Sequence, residues 1–102
     1  TFQIDVSHMK IDDKPLRYFL AVFEAGSIRT AAETLRIAPS AISRQISGLE
    51  AHLDTLLMER TKRGIIFTDS GHMVAAHARR RIELDESFAV DLATARGAIA
   101  GI

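Results

Sequence analysis

Cysteine and tryptophan are both absent from the 102 residues. Without cysteine there is no disulfide staple, no thiolate nucleophile and no cysteine-based zinc site. A reducing compartment, the cytoplasm, is the expected location. Proline occurs only at positions 15 and 39, so long stretches are free to run as helix. No apolar run approaches the roughly 18 residues of a membrane span, and no basic start followed by an apolar run marks a secretory signal. Net charge is lacking too: 13 Lys/Arg balance 13 Asp/Glu.

What is present is a 47% hydrophobic chain, enough for one small core and too apolar for disorder. The balanced charge conceals an uneven distribution. Lys14 to Arg81 holds most of the basic residues, while Asp5, Asp12, Asp13, Glu83, Asp85, Glu86 and Asp91 lie outside it. A basic middle between acidic flanks suits a polyanionic partner better than the sum suggests.

Residues 1–13 fit no helix template and read as a loose N-terminal tail, in which "FQIDV" alternates like a short strand and Met9 is a candidate start. From Pro15, a residue suited to a first helical turn, the period becomes helical. Leu16, Phe19, Leu20 and Phe23 make one face, and Gly26 stops the helix. Ser27 is an N-cap for a short second helix with Ile28, Ala31, Ala32 and Leu35 on its apolar face. The break "RIAP" leads into a third helix over about residues 39–53. There Ile42, Ile46, Leu49 and Leu53 form an apolar stripe, while Ser40, Ser43, Arg44 and Ser47 lie opposite. A strand at Leu57–Glu59, the turn "TKRG" with Gly64 at positive φ, and a returning strand "IIF" follow. Thr68 then caps a helix reaching to about Arg96, longer than so small a core requires. Its stripe of Met73, His77, Leu84, Phe88, Leu92, Ala95 and Ile99 suits a helix–helix seam.

This order predicts a mainly α fold: a winged helix-turn-helix of three helices and a two-stranded wing (residues 14–68), followed by a long linker or dimerisation helix (69–102). The third helix would enter a DNA major groove. There Arg44 could fork onto a guanine edge, Ser40 and Ser43 could bond phosphates or bases, and Gln45 lies nearer the core side. Lys62 and Arg63 at the wing tip (61–64) could lie along phosphates or in a minor groove. Ser27 and Thr30 could meet a phosphate at a helix start. Each feature has a plain structural alternative: a solvated helix face, a soluble turn, an ordinary cap. The arginines at 79–81 read as a solvated face. His72 and His77 fall roughly 140° apart on a helix and make no metal site. No nucleophile–base pair, phosphate loop or carboxylate pair supports an enzyme, and no cofactor is implied. A protein-binding winged helix without DNA contact stays open on these grounds.

The stretch "LRYFLAVFEAGSIRTAAETLRIAPSAISRQISGLEAHLDTLLMERTKRGIIFTDSG" resembles the N-terminal DNA-binding domain of LysR-type transcriptional regulators. "F.AV.E.GS", "AA..L", "SAISRQI..LE", "ER" and "T.SG" occur in order at the family's spacing, and the likeness covers about residues 14–95. The resemblance implies a recognition helix contacting operator DNA through Pro39, Ser40, Ser43 and Arg44, with Arg63 in the wing and Ser27 and Thr30 in the second helix. It implies a homodimer through Leu84, Phe88 and Leu92 of the long helix, or a tetramer in a full-length protein. It also implies a small-molecule inducer bound by a C-terminal domain that this chain lacks, so that the chain reads as a DNA-binding fragment or a very short relative. Four departures stand out. Ala38-Pro39-Ser40 replaces a polar cap followed by Gln and Pro, Gly48 interrupts the recognition helix, and Met58 stands where Phe is common. Asp54 replaces the usual Gly, so the third helix is expected to end differently.

Overall fold

The computed structural model describes residues 10–99. Four helices and one hairpin follow in the order α1 (Asp13–Ala25), α2 (Ile28–Leu35), α3 (Pro39–Leu53), β1 (Met58–Thr61), β2 (Gly64–Phe67) and α4 (Asp69–Ile99). This is the winged helix-turn-helix with a long C-terminal helix that the periodicity predicts.

The core is built from the apolar faces of all these segments. Leu16, Phe19, Leu20 and Val22 of α1 meet Ala31 and Ala32 of α2, Ile42, Ile46 and Leu49 of α3, and Ala75 and Ala78 of α4. Alanine at four of these positions lets the helix axes approach closely, while Phe19 and Ile42, both fully buried, fill the centre. Phe23, Phe67 and His72 close one side with tilted and edge-on ring contacts, Phe23 and Phe67 lying 4.8 Å apart. No side-chain polar atom among the described residues is buried without a partner.

Backbone termini decide the angles between helices. Gly26 ends α1 at φ 76°, as the sequence predicts. Arg36 ends α2 at φ 57°, and the Ile37 N–H returns to the Ala32 carbonyl. Asp54 ends α3 the same way, at φ 51°, with the Thr55 N–H on the Glu50 carbonyl. The expectation of a different ending for α3 is therefore wrong. A short polar side chain tolerates the left-handed region, so Asp54 makes the turn that glycine would make.

Several other expectations are corrected. Residues 1–9 lie outside the described residues, but residues 10–12 are not loose. His52 Nε2 donates to the Lys10 carbonyl at 2.9 Å, and Arg81 donates to the Ile11 carbonyl at 2.9 Å. Arg81 and Arg79 are thus not merely solvated, since Arg79 also pairs with Glu24 of α1 at 3.2 Å; Arg80 alone of the three matches that reading. Leu57 is not a strand residue but a fully buried core residue, with its N–H on Glu50 and its carbonyl accepting from Thr68. Met73 and His77 of the α4 stripe are exposed, whereas Gly71, Ala75 and Ala78 face the core, because α4 meets the domain through its smallest side chains.

Candidate nucleic-acid interface

The two faces of α3 are physically distinct. Ile42, Ile46 and Leu49 are at most 3% exposed. Ser40, Arg44 and Ser47, on the opposite side, are exposed. Arg44 has no hydrogen-bond or ion-pair partner among the described residues. A guanidinium in that position keeps its five donors for an outside acceptor.

The helix is presented by its turn. Three residues, Arg36 to Ala38, separate α2 from α3, and Pro39 occupies the first turn of α3. Ala38 is the N-cap and supplies no side-chain bond, as the departure from a polar residue implies; the Ala41 N–H bonds the Ala38 carbonyl instead. Ser40 does not take over the capping role. Its hydroxyl makes no bond among the described residues and remains exposed.

The wing stands beside this helix. Met58 pairs with Phe67, Glu59 with Ile66, Arg60 with Ile65 and Thr61 with Gly64, so only Lys62 and Arg63 form the tip. The Thr61 hydroxyl donates to the Gly64 carbonyl at 2.9 Å and accepts the Arg63 N–H at 3.2 Å. Gly64 sits at φ 121°, a conformation that L residues with a side chain rarely adopt. The result is a tight, braced turn with two exposed cations.

Ser43 differs from its neighbours. It is half-buried, and its Oγ accepts from Arg60 Nη2 at 2.7 Å. Sequence reasoning missed Arg60 altogether. The signal was available: strand alternation puts Arg60 on the same face as Met58, which is the face turned to the helices. At the start of α2, the Ser27 Oγ accepts the Thr30 N–H at 3.0 Å and donates to the Thr30 hydroxyl at 2.8 Å. Ser27 is thus a working cap, and the hydrogen left over at this corner is that of Thr30.

Leu84, Phe88 and Leu92 project from the part of α4 that extends past the core and are 71%, 66% and 44% exposed. No group of three or more metal-ligating side chains occurs among the described residues. None of their helices is long and apolar enough to cross a membrane.

Residues 14–72 match the family model described as "Bacterial regulatory helix-turn-helix protein, lysR family". The chain belongs to the lysR family. Among curated relatives, this LysR-family chain is 45% identical over 71 residues to the HTH-type transcriptional regulator TcbR of Pseudomonas sp. (strain P51), which covers 70% of this chain and 24% of the relative. It is 45% identical over 64 residues to the nitrogen assimilation regulatory protein nac of Escherichia coli (strain K12), covering 63% of this chain and 21% of the relative. The LysR-family chain thus spans less than a quarter of the length of these relatives, which are regulators by name. Among solved structures, the BenM_DBD/catB site 1 DNA complex superposes with a TM-score of 0.78 at 33% identity, over 82% of this chain and 93% of that one. The CbnR_DBD–DNA complex gives 0.76 at 39% identity, over 83% and 98%.

Proposed function

We propose that this LysR-family domain binds double-stranded DNA sequence-specifically, as the DNA-binding part of a transcription regulator. The observation that carries the reading is the exposed edge of α3, with Arg44 unpartnered among the described residues, opposite a fully buried face. The solved complexes of similar domains with DNA support it. In this reading α3 lies in the major groove. Arg44 reads a base edge, and Ser40 and Ser43 bond phosphates or bases beside it. Pro39 fixes where the helix begins. Lys62 and Arg63 lay charge on the flanking backbone or in the minor groove. Ser27 positions Thr30, whose hydroxyl hydrogen meets a phosphate near the start of α2.

Two copies pair through Leu84, Phe88 and Leu92, and the length of α4 sets the half-site spacing. In a full-length regulator, an inducer would act through a further domain. The setting is cytoplasmic, and the domain performs binding rather than catalysis.

Fluorescence anisotropy on a duplex recovered by binding-site selection tests the reading. Arg44→Ala should cost about 1–3 kcal/mol and relax the preference at one base pair. Equal affinities for wild type and variant would refute Arg44's role. Binding should also weaken steeply with salt as counterions are released; no duplex binding even at low salt would favour a protein-contact module.

A further inference from the structure

The Arg60–Ser43 contact joins the wing to the recognition helix, and its chemistry has a direction. A hydroxyl has one hydrogen and two lone pairs, whereas a guanidinium has only hydrogens to give. At 2.7 Å from Arg60 Nη2, the Ser43 Oγ must therefore be the acceptor. Its own hydrogen points elsewhere. Helical Ser and Thr hydroxyls often turn back to the carbonyl one turn earlier, as Thr34 does to Thr30 at 3.1 Å. Ser43 makes no such bond among the described residues.

We propose that Arg60 fixes Ser43 with its hydroxyl hydrogen turned toward DNA, so that this position of the recognition helix favours acceptor groups. The proposal rests on the DNA-binding reading. The acceptors in question are a phosphate oxygen, guanine O6 or N7, adenine N7 and thymine O4. Arg60 acts through Ser43 and is a positioning residue. Its place in β1 also couples the two halves of the interface. Lys62 and Arg63 follow within three residues, and Thr61 braces the tip. Seating the wing on a phosphate backbone therefore holds Arg60, and Arg60 holds Ser43.

A double-variant cycle on the 102-residue chain tests this, using the selected duplex and a scrambled one. The readout is the ratio of the two affinities, in which the general loss from removing one positive charge cancels. Arg60→Met should lower that ratio about tenfold, the size expected for a charge-assisted hydrogen bond. In a Ser43→Ala background the same change should lower it less than about twofold, because nothing is left to position. Arg60→Lys should restore part of the loss, and Arg60→Met should broaden base preference only at the pair facing Ser43. Equal losses in both backgrounds would overturn the proposal, as Arg60 would then act on DNA by itself. The Arg60 guanidinium NMR signals of the DNA-free chain should shift in Ser43→Ala; unshifted signals would overturn the contact without involving DNA. A wild-type chain with no preference among duplexes would overturn the DNA reading and this proposal together, before any variant is compared.

Discussion

Two glycines in this fold should respond to the same substitution with opposite sign. Gly48 lies in α3, exposed, and a Cβ built on it meets nothing within 4 Å. Alanine there removes only the backbone entropy penalty, so Gly48→Ala should stabilise the domain by about 1 kcal/mol. For a domain of this size that is a rise in Tm of about 4–8 °C. Gly71 lies buried in the first turn of α4, and a Cβ there would sit 2.1 Å from the Leu57 carbonyl oxygen, where ordinary contact begins at 3.4 Å. That oxygen is backbone, accepts the Thr68 N–H at 3.0 Å and belongs to a fully buried residue. Overpacking of this kind costs about 1–3 kcal/mol, and loss of the Thr68 bond adds about 1 kcal/mol. Gly71→Ala should therefore destabilise by about 2–4 kcal/mol. Urea or thermal melts followed by far-UV circular dichroism would measure both variants, at one protein concentration because a self-associating chain has a concentration-dependent midpoint. A destabilised Gly48→Ala, or a Gly71→Ala within 0.5 kcal/mol of wild type (about the scatter of a neutral surface change), would refute the reasoning.

Other outcomes follow from the same geometry. Ala38→Ser supplies the missing N-cap oxygen of α3 and should add about 1 kcal/mol of stability in the same melts. Asp54→Gly relieves a left-handed residue and should raise stability by about 1 kcal/mol; a loss would mean that the Asp54 side chain contributes more than its backbone costs. Phe88→Glu, on the unpacked part of α4, should yield monomers by sedimentation velocity with little change in helix content, and an unchanged dimer would move the seam elsewhere.

The elements were readable because each is marked by local chemistry. Proline at 15 and 39, Gly26, Ser27 and Thr68 punctuate the chain, and the apolar period between them switches from helix to strand and back. The two faces of α3 followed from the same period. What escaped was set by contacts between segments distant in sequence. Asp54 is of a residue type that tolerates the left-handed region, but that tolerance alone does not say that the residue will adopt it. The apolar stripe of α4 was visible, but the side of α4 that packs on the domain was not. Alanine and glycine carry little weight in a hydrophobic pattern, yet their small size is why they form the packed face. Arg79 and Arg81 looked like solvated charge because their partners, Glu24 and the Ile11 carbonyl, lie far away in the chain.

By itself, then, the sequence determined the element order, the caps and the polarity of the recognition helix, all properties of neighbours within one or two turns. The tertiary structure alone decided which face of α4 meets the core, how α3 ends, and what Ser43 can do. The last depends on an arginine 17 residues away. Folding the wing beside the helix makes that hydroxyl an acceptor within the protein and leaves its hydrogen for a partner.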